Sequence, residues 1–160
     1  MYVKSKKEVI ILVCSIVFLI GVFFISRIFN EKNSIAEKIP PAYNSALLLS
    51  GSTFKVTIAE TSAELAQGLS GREPLAPDEG MLFIFPVEGK YGFWMKDMLF
   101  PIDIIWFASD KSLIGVSENI QPASYPEILY PPNEARYVLE VTAGTFSKSN
   151  LVIGDIFSLE

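Results

Sequence analysis

Apolar and polar residues fall into two regimes along the chain. Val9 to Ile25, VIILVCSIVFLIGVFFI, is an unbroken apolar run without a single charge. From Ser45 onward, short apolar stretches alternate with turn residues. At about 1.5 Å per residue the first run spans roughly 26 Å as a helix, enough for a bilayer core of about 30 Å with some thinning. It is read as a transmembrane anchor over residues 9–26. Residues 1–8 form a short flank bearing Lys4, Lys6 and Lys7, and Arg27 stands at the other end. A cleaved signal peptide is the rival reading, but its small-x-small site, Ser34-Ile35-Ala36, lies well beyond the apolar run. The crowding of lysines before the span places the N-terminus in the cytoplasm and the rest of the chain outside it.

Residues 27–44 lack periodicity and contain Pro40-Pro41, the pattern of a tether. Ala46–Leu49, Ser50-Gly51-Ser52 and Phe54–Ala59 then read as a hairpin. Its second arm alternates Phe54, Val56 and Ile58 with Lys55 and Thr57. Thr61 and Glu64 have capping-box spacing, which predicts a short helix over about 62–69. Strands follow at 81–85, 91–96, 102–107 and 113–116. The prolines at 122, 126, 131 and 132 exclude a central strand or a helix over 119–135. A strand at 136–141, one or two helical turns over 143–149 and a closing strand at 155–159 complete the series. The expected fold of residues 45–160 is mainly β (β-rich α+β), a compact β-barrel or sandwich with one or two short helices, behind the N-terminal transmembrane helix.

Composition narrows the chemistry. The 160-residue chain has no histidine, and its one cysteine, Cys14, lies in the apolar run. Ser-His-Asp and Cys-His nucleophiles, His- or Cys-based zinc sites and iron–sulfur ligation are therefore excluded. Residues 45–160 carry seven Lys/Arg against fifteen Asp/Glu, a balance of −8. Such a domain repels phosphate backbones, so nucleic acid is not an expected partner. The glycines have no phosphate-cradling spacing, and no cofactor is expected.

Four motifs carry a family resemblance. ELAQGLSGREPLAPDEGMLFIF (residues 64–85), GFWMKD (92–97), PIDI (101–104), and YVLEV (137–141) followed by Ala143-Gly144 and Ile153-Gly154-Asp155 occur in the order found in domain-of-unknown-function family 192. The chain resembles that family over about residues 53–157. It departs from the family's more common form at Ser70, Gly71, Asp97 and Met98, where Met, an aromatic residue, Asn and Thr are usual. The resemblance implies a compact β-rich fold and brings no activity with it.

Three groups of residues stand out as candidate chemistry. Asp103 is a carboxylate between Ile102 and Ile104-Ile105-Trp106. A buried carboxylate is costly unless paired or protonated, so it is expected either to pair with Arg72, Lys96 or Arg136 or to be a poised acid. A catalytic role would need a second carboxylate in the same cleft, from Asp97, Glu79 or Glu140. On a strand, Trp94 and Lys96 share one face and Phe93, Met95 and Asp97 the other, so Trp94 and Lys96 could wall a polar-ligand pocket. Met81, Met95 and Met98 could offer thioethers to Cu(I), but without histidine or cysteine they make a poor site, and no metal is expected. The leading expectation is a membrane-anchored extracytoplasmic module that binds an envelope glycan or protein through Trp94, Lys96, Asp103 and Arg72. A carboxylate-dependent hydrolase of envelope polysaccharide, using Asp103 and Asp97, and a purely structural or assembly domain are the alternatives.

Overall fold

Alternation in the central strands is apolar on both sides, and this sends two separate cores to the two faces of one sheet. In the computed structural model, which describes residues 43–160, Met81, Phe83 and Phe85 point to one face, while Leu82 and Ile84 point to the other. The predicted anchor at 9–26, its flank at 1–8 and nearly all of the tether at 27–44 lie outside the described residues. Among the described residues no helix is long and apolar enough to cross a membrane.

The elements in chain order are β1 (Ser45–Leu49), β2 (Ser52–Ala59), α1 (Ser62–Gln67), β3 (Glu79–Gly89), β4 (Ile102–Phe107), β5 (Leu113–Ile120), a 3-10 turn (Pro122–Ser124), β6 (Ala135–Thr142), α2 (Thr145–Lys148) and β7 (Phe157–Leu159). They form a seven-stranded sheet in the order β5-β4-β6-β3-β2-β1-β7, curled into a half-barrel. The β1–β2 hairpin is antiparallel as expected, with Leu49 opposite Ser52. β2 and β3 are parallel, which requires a crossover, and α1 lies within it. The α1 start is the expected capping box: Thr61 Oγ1 accepts from the Glu64 amide, and the Glu64 carboxylate accepts from the Thr61 amide. Those donors hold the Glu64 carboxyl below its usual range.

One face of the sheet holds Phe83, Phe93, Met95, Ile104, Trp106 and Val138. The other holds Leu47, Val56, Leu82, Ile105, Phe107, Leu139, Val141 and Phe157. β4 is buried at all six positions because it packs against both cores. The sheet's two ends meet on one side: the Leu113 amide donates to Asp155 O at 2.7 Å, the Gly154 amide to Leu113 O at 2.9 Å and the Phe157 amide to Lys111 O at 3.3 Å.

Two expectations are corrected. Residues 91–96 are not a strand. The segment is extended, but its one β-bridge is at Phe93, which exchanges backbone hydrogen bonds of 2.9 and 2.8 Å with Leu129 of the proline-rich loop. Asp97 then turns the chain with a positive φ of 56°, a conformation that Asp and Asn tolerate better than most residues. The alternation survives, with Phe93 and Met95 buried and Trp94 and Lys96 exposed, but Asp97 is exposed because the turn breaks it. The second correction concerns Asp103. It is fully buried, and neither Arg72, Lys96 nor Arg136 pairs with it: the one ion pair among the described residues joins Lys55 and Asp78. Two backbone amides take the place of a cation. Asn119 N–H donates to Oδ1 at 2.8 Å and Phe146 N–H to Oδ2 at 2.9 Å.

Both amides need that carboxylate for a local reason. β4 and β5 slip register between Ile102 and Ile104, and Asn119 in the resulting bulge has a φ of 51°. α2 starts at Gly144, which has no side chain to cap the helix. Asp103 caps it instead from the neighbouring strand, and pins the bulge with its other oxygen.

Candidate functional site

The strand alternation that puts Ile104 and Trp106 on one face of β4 puts Asp103, with Ile105 and Phe107, on the other. In β6, Glu140 is the direct partner of Ile104, so it shares the face that holds Phe83, Phe93 and Val138. Asp103 and Glu140 are thus buried carboxylates on opposite faces of one sheet. They cannot serve one cleft as an acid–base pair.

Glu140 lines a cavity of about 200 Å³. Its walls are α1 and the turn after it (Leu65 to Ser70), Phe83 and Phe85 of β3, and Tyr91 to Trp94 with Met98. The aromatic side of this wall is a continuous assembly. Phe85 stacks on Tyr91 with centroids 3.7 Å apart, and Phe93 meets Phe83 edge-on at 5.0 Å and Trp106 at 5.2 Å. Tyr91 is fixed by its hydroxyl, which donates to Val87 O at 2.8 Å. Trp94 stands in the wall 48% exposed. Gly68 closes the helix with φ 52° and ψ −135°, a conformation for which glycine is favoured. A Cβ there would come 3.3 Å from Phe83 Cζ and 4.0 Å from Glu140 Oε2, intruding on the cavity.

Glu140 is only 6% exposed, and its Oε2 is buried without a hydrogen-bond partner. Loss of water around the carboxyl pushes its pKa up to about 8, against the opposing field of the Arg72 guanidinium. The nearby polar side chains are already engaged: Gln67 Nε2 donates to Ser70 O and Ser70 Oγ to Lys96 O, each at 2.8 Å. A carboxyl so placed can donate or accept a hydrogen bond only to something that enters the cavity.

Of the residues singled out from the sequence, Trp94 lines this cavity and Arg72 acts on it through its charge. Lys96 contributes its backbone carbonyl rather than its side chain, and Asp97 likewise accepts from the Gly71 amide at 2.8 Å. Glu79 turns away, accepting from the Ala76 amide at 2.8 Å. Asp103 lies on the far face. Met81, Met95 and Met98 are all buried in the core cluster, where Met81 and Met95 fill space and Met98 also lines the cavity. Sequence reasoning named Glu140 only as a second carboxylate and missed the wall formed by Phe83, Phe85, Tyr91 and Phe93. The available signal was the isolated acid between Leu139 and Val141 in an otherwise apolar strand. The four departures from the usual family pattern meet here as well: Ser70 and Met98 line the cavity, and Gly71 is bonded to Asp97 at its edge.

The family model for DUF192, described as Uncharacterized ACR, matches residues 46–159. No curated protein matches the chain. Similar solved structures include two crystal structures. A protein of unknown function from Novosphingobium aromaticivorans is 28% identical, with a TM-score of 0.67 over 71% of this chain and 83% of that one. A candidate transcription regulator from Sinorhizobium meliloti is 33% identical, with a TM-score of 0.66 over 72% of this chain and 94% of that one. The four motifs, the curled β-rich fold and the match over nearly the whole described domain agree, and the chain belongs to the DUF192 family of uncharacterised proteins.

Proposed function

We propose that this chain is a membrane-anchored, extracytoplasmic binding module whose cavity takes a small part of an envelope glycan. The observation that carries the reading is the unpartnered Glu140 carboxyl at the aromatic-walled cavity. Apolar walls with one or two placed polar groups are the usual make-up of a ligand pocket, and an indole such as that of Trp94, half-exposed, suits a sugar ring. Catalysis by paired carboxylates is disfavoured, because Glu140 is the one carboxylate lining the cavity and Asp103 lies on the other face. The transcription-regulator description of the Sinorhizobium protein is not carried over, since a balance of −8 over residues 45–160 opposes contact with DNA.

The full chain, in detergent, is expected to co-sediment with purified insoluble cell-wall glycan, and Trp94→Ala is expected to weaken this at least tenfold. A wild-type protein that stays in the supernatant refutes the reading. Release of soluble reducing ends would make the protein a hydrolase instead. The anchor has its own test. Fractionation is expected to find the chain in the membrane with residues 9–26 intact by mass, and a soluble product starting near Glu37 would overturn that expectation.

A further inference from the structure

Glu140 Oε2 is buried and has no hydrogen-bond partner, and Glu140 lines a cavity walled by aromatic side chains. We infer that the cavity recognises an ammonium group, carried on an amino sugar whose amine is free, with Glu140 as its counter-ion and the aromatic wall as its surround. This rests on the glycan-binding reading above and names the chemistry that selects the ligand.

Two alternatives fit the cavity less well. A neutral hydroxyl or acetamide can accept the O–H of the protonated carboxyl, but it gains only a neutral hydrogen bond, weaker than a charge-assisted one, and offers nothing to offset the charge once the carboxyl ionises. A carboxylate or phosphate would meet both the acid and the acidic domain. An ammonium supplies N–H donors and a compensating charge together, and aromatic rings attract cations through their quadrupole. The excess of acidic residues over residues 45–160 draws cations toward the domain. A free amine on a sugar is favoured over a lysine side chain because the cavity has room for one ring and has an exposed indole in its wall.

The charged and titratable neighbours of Glu140 are few. Arg72 is the one whose field reaches it, opposing a bound cation, and Tyr91 is the other titratable group in the lining. Binding an ammonium requires Glu140 to ionise, so each ligand bound releases one proton while the acid is protonated in the free protein. Affinity then rises by up to about tenfold per pH unit, below the raised carboxyl pKa and the amine's own.

The test uses the full chain in a polyoxyethylene-ether detergent, whose headgroup carries neither sugar nor ammonium. Glucosamine oligomers and N-acetylglucosamine oligomers of equal length are titrated at pH 6 and pH 7, following tryptophan fluorescence and heat. The amine oligomer is expected to bind at least tenfold tighter than the acetylated one, to gain affinity from pH 6 to pH 7, and to lose at least tenfold with Glu140→Gln. The pH comparison needs no variant, so it decides the matter even where Glu140→Gln fails to fold. Acetylated oligomers binding as well as the amine, unaffected by Glu140→Gln, overturn the ammonium inference and leave the binding reading standing. Amine binding that Glu140→Gln retains in full is surface charge attraction and also overturns it. Binding of a lysine peptide in place of the glucosamine oligomer overturns the sugar source. Failure of both oligomers to bind overturns the inference, while co-sedimentation with cell-wall glycan judges the broader reading separately.

Discussion

Asp103→Ala is expected to destabilise the domain by roughly 3–5 kcal/mol. The side chain is fully buried and accepts from two backbone amides, those of Asn119 and Phe146. Alanine would orphan both, at about 1–3 kcal/mol each, and would remove charge-assisted bonds stronger than neutral ones. The bulge in β5 and the first turn of α2 would lose their common anchor. Asp103→Asn retains one acceptor oxygen but turns an N–H₂ toward the remaining amide, so a loss of about 3 kcal/mol is expected. These are large shares of the 5–15 kcal/mol typical of a small domain. Urea unfolding at neutral pH, followed through Trp94 and Trp106, measures both. A variant as stable as the wild type would show that neither amide depends on Asp103.

The second large effect is a fall in wild-type stability as the pH rises from about 4.5 to about 8. Burial raises the Glu140 carboxyl to about 8 in the folded protein from an ordinary value of 4.5. Below 4.5 both states are protonated and nothing is lost. Between the two values the unfolded chain has given up its proton while the folded one keeps it. Each pH unit in that window therefore removes up to about 1.4 kcal/mol, and the loss levels off above 8. Glu140→Gln is expected to be nearly flat over the window and, at pH 8, at least as stable as the wild type. The exposed carboxyls of Glu64, Asp78 and Asp110, held low by their hydrogen bonds, act in the opposite sense and below this window. Urea unfolding at half-unit pH steps separates them. A wild type whose stability is level from pH 5 to pH 8 would mean that Glu140 is solvated in the folded state.

Most of the strands were legible because their evidence is local. Thr61 and Glu64 announce their helix through bonds three residues apart, and the prolines at 122 to 132 bar regular structure wherever they fall. The segment 91–96 misled because its alternation is genuine, while the partner strand that would have made it part of the sheet is absent. Its one β-bridge is to Leu129. Asp103 was legible as a buried carboxylate but not in its partners, because backbone amides have no sequence signature. The pairing with Arg72, Lys96 or Arg136 was the natural expectation from side chains alone. The cavity was the least legible feature. Its wall comes from α1, β3 and the 91–98 segment, and only the β3–β6 and β4–β6 registers put Glu140 on that face rather than beside Asp103.

The meeting of the two ends of the sheet bears on how such domains behave when crowded. A strand at the margin of an open sheet offers unpaired amides to any neighbour of like sequence, and a surface-tethered population would bring many such neighbours close. Here β7 is three residues long, its first amide donates to Lys111 O, and Leu113 at the start of β5 has both backbone groups engaged by residues 154 and 155. Further along β5, Pro132, which has no amide, lies so close to Gly115 that a Cβ there would stand 2.7 Å from its ring, and the bulge at Asn119 bends the strand out of register. The fold thus leaves little edge on which a second copy could start an intermolecular ladder, and dense packing of copies would not by itself lead to aggregation through strand addition.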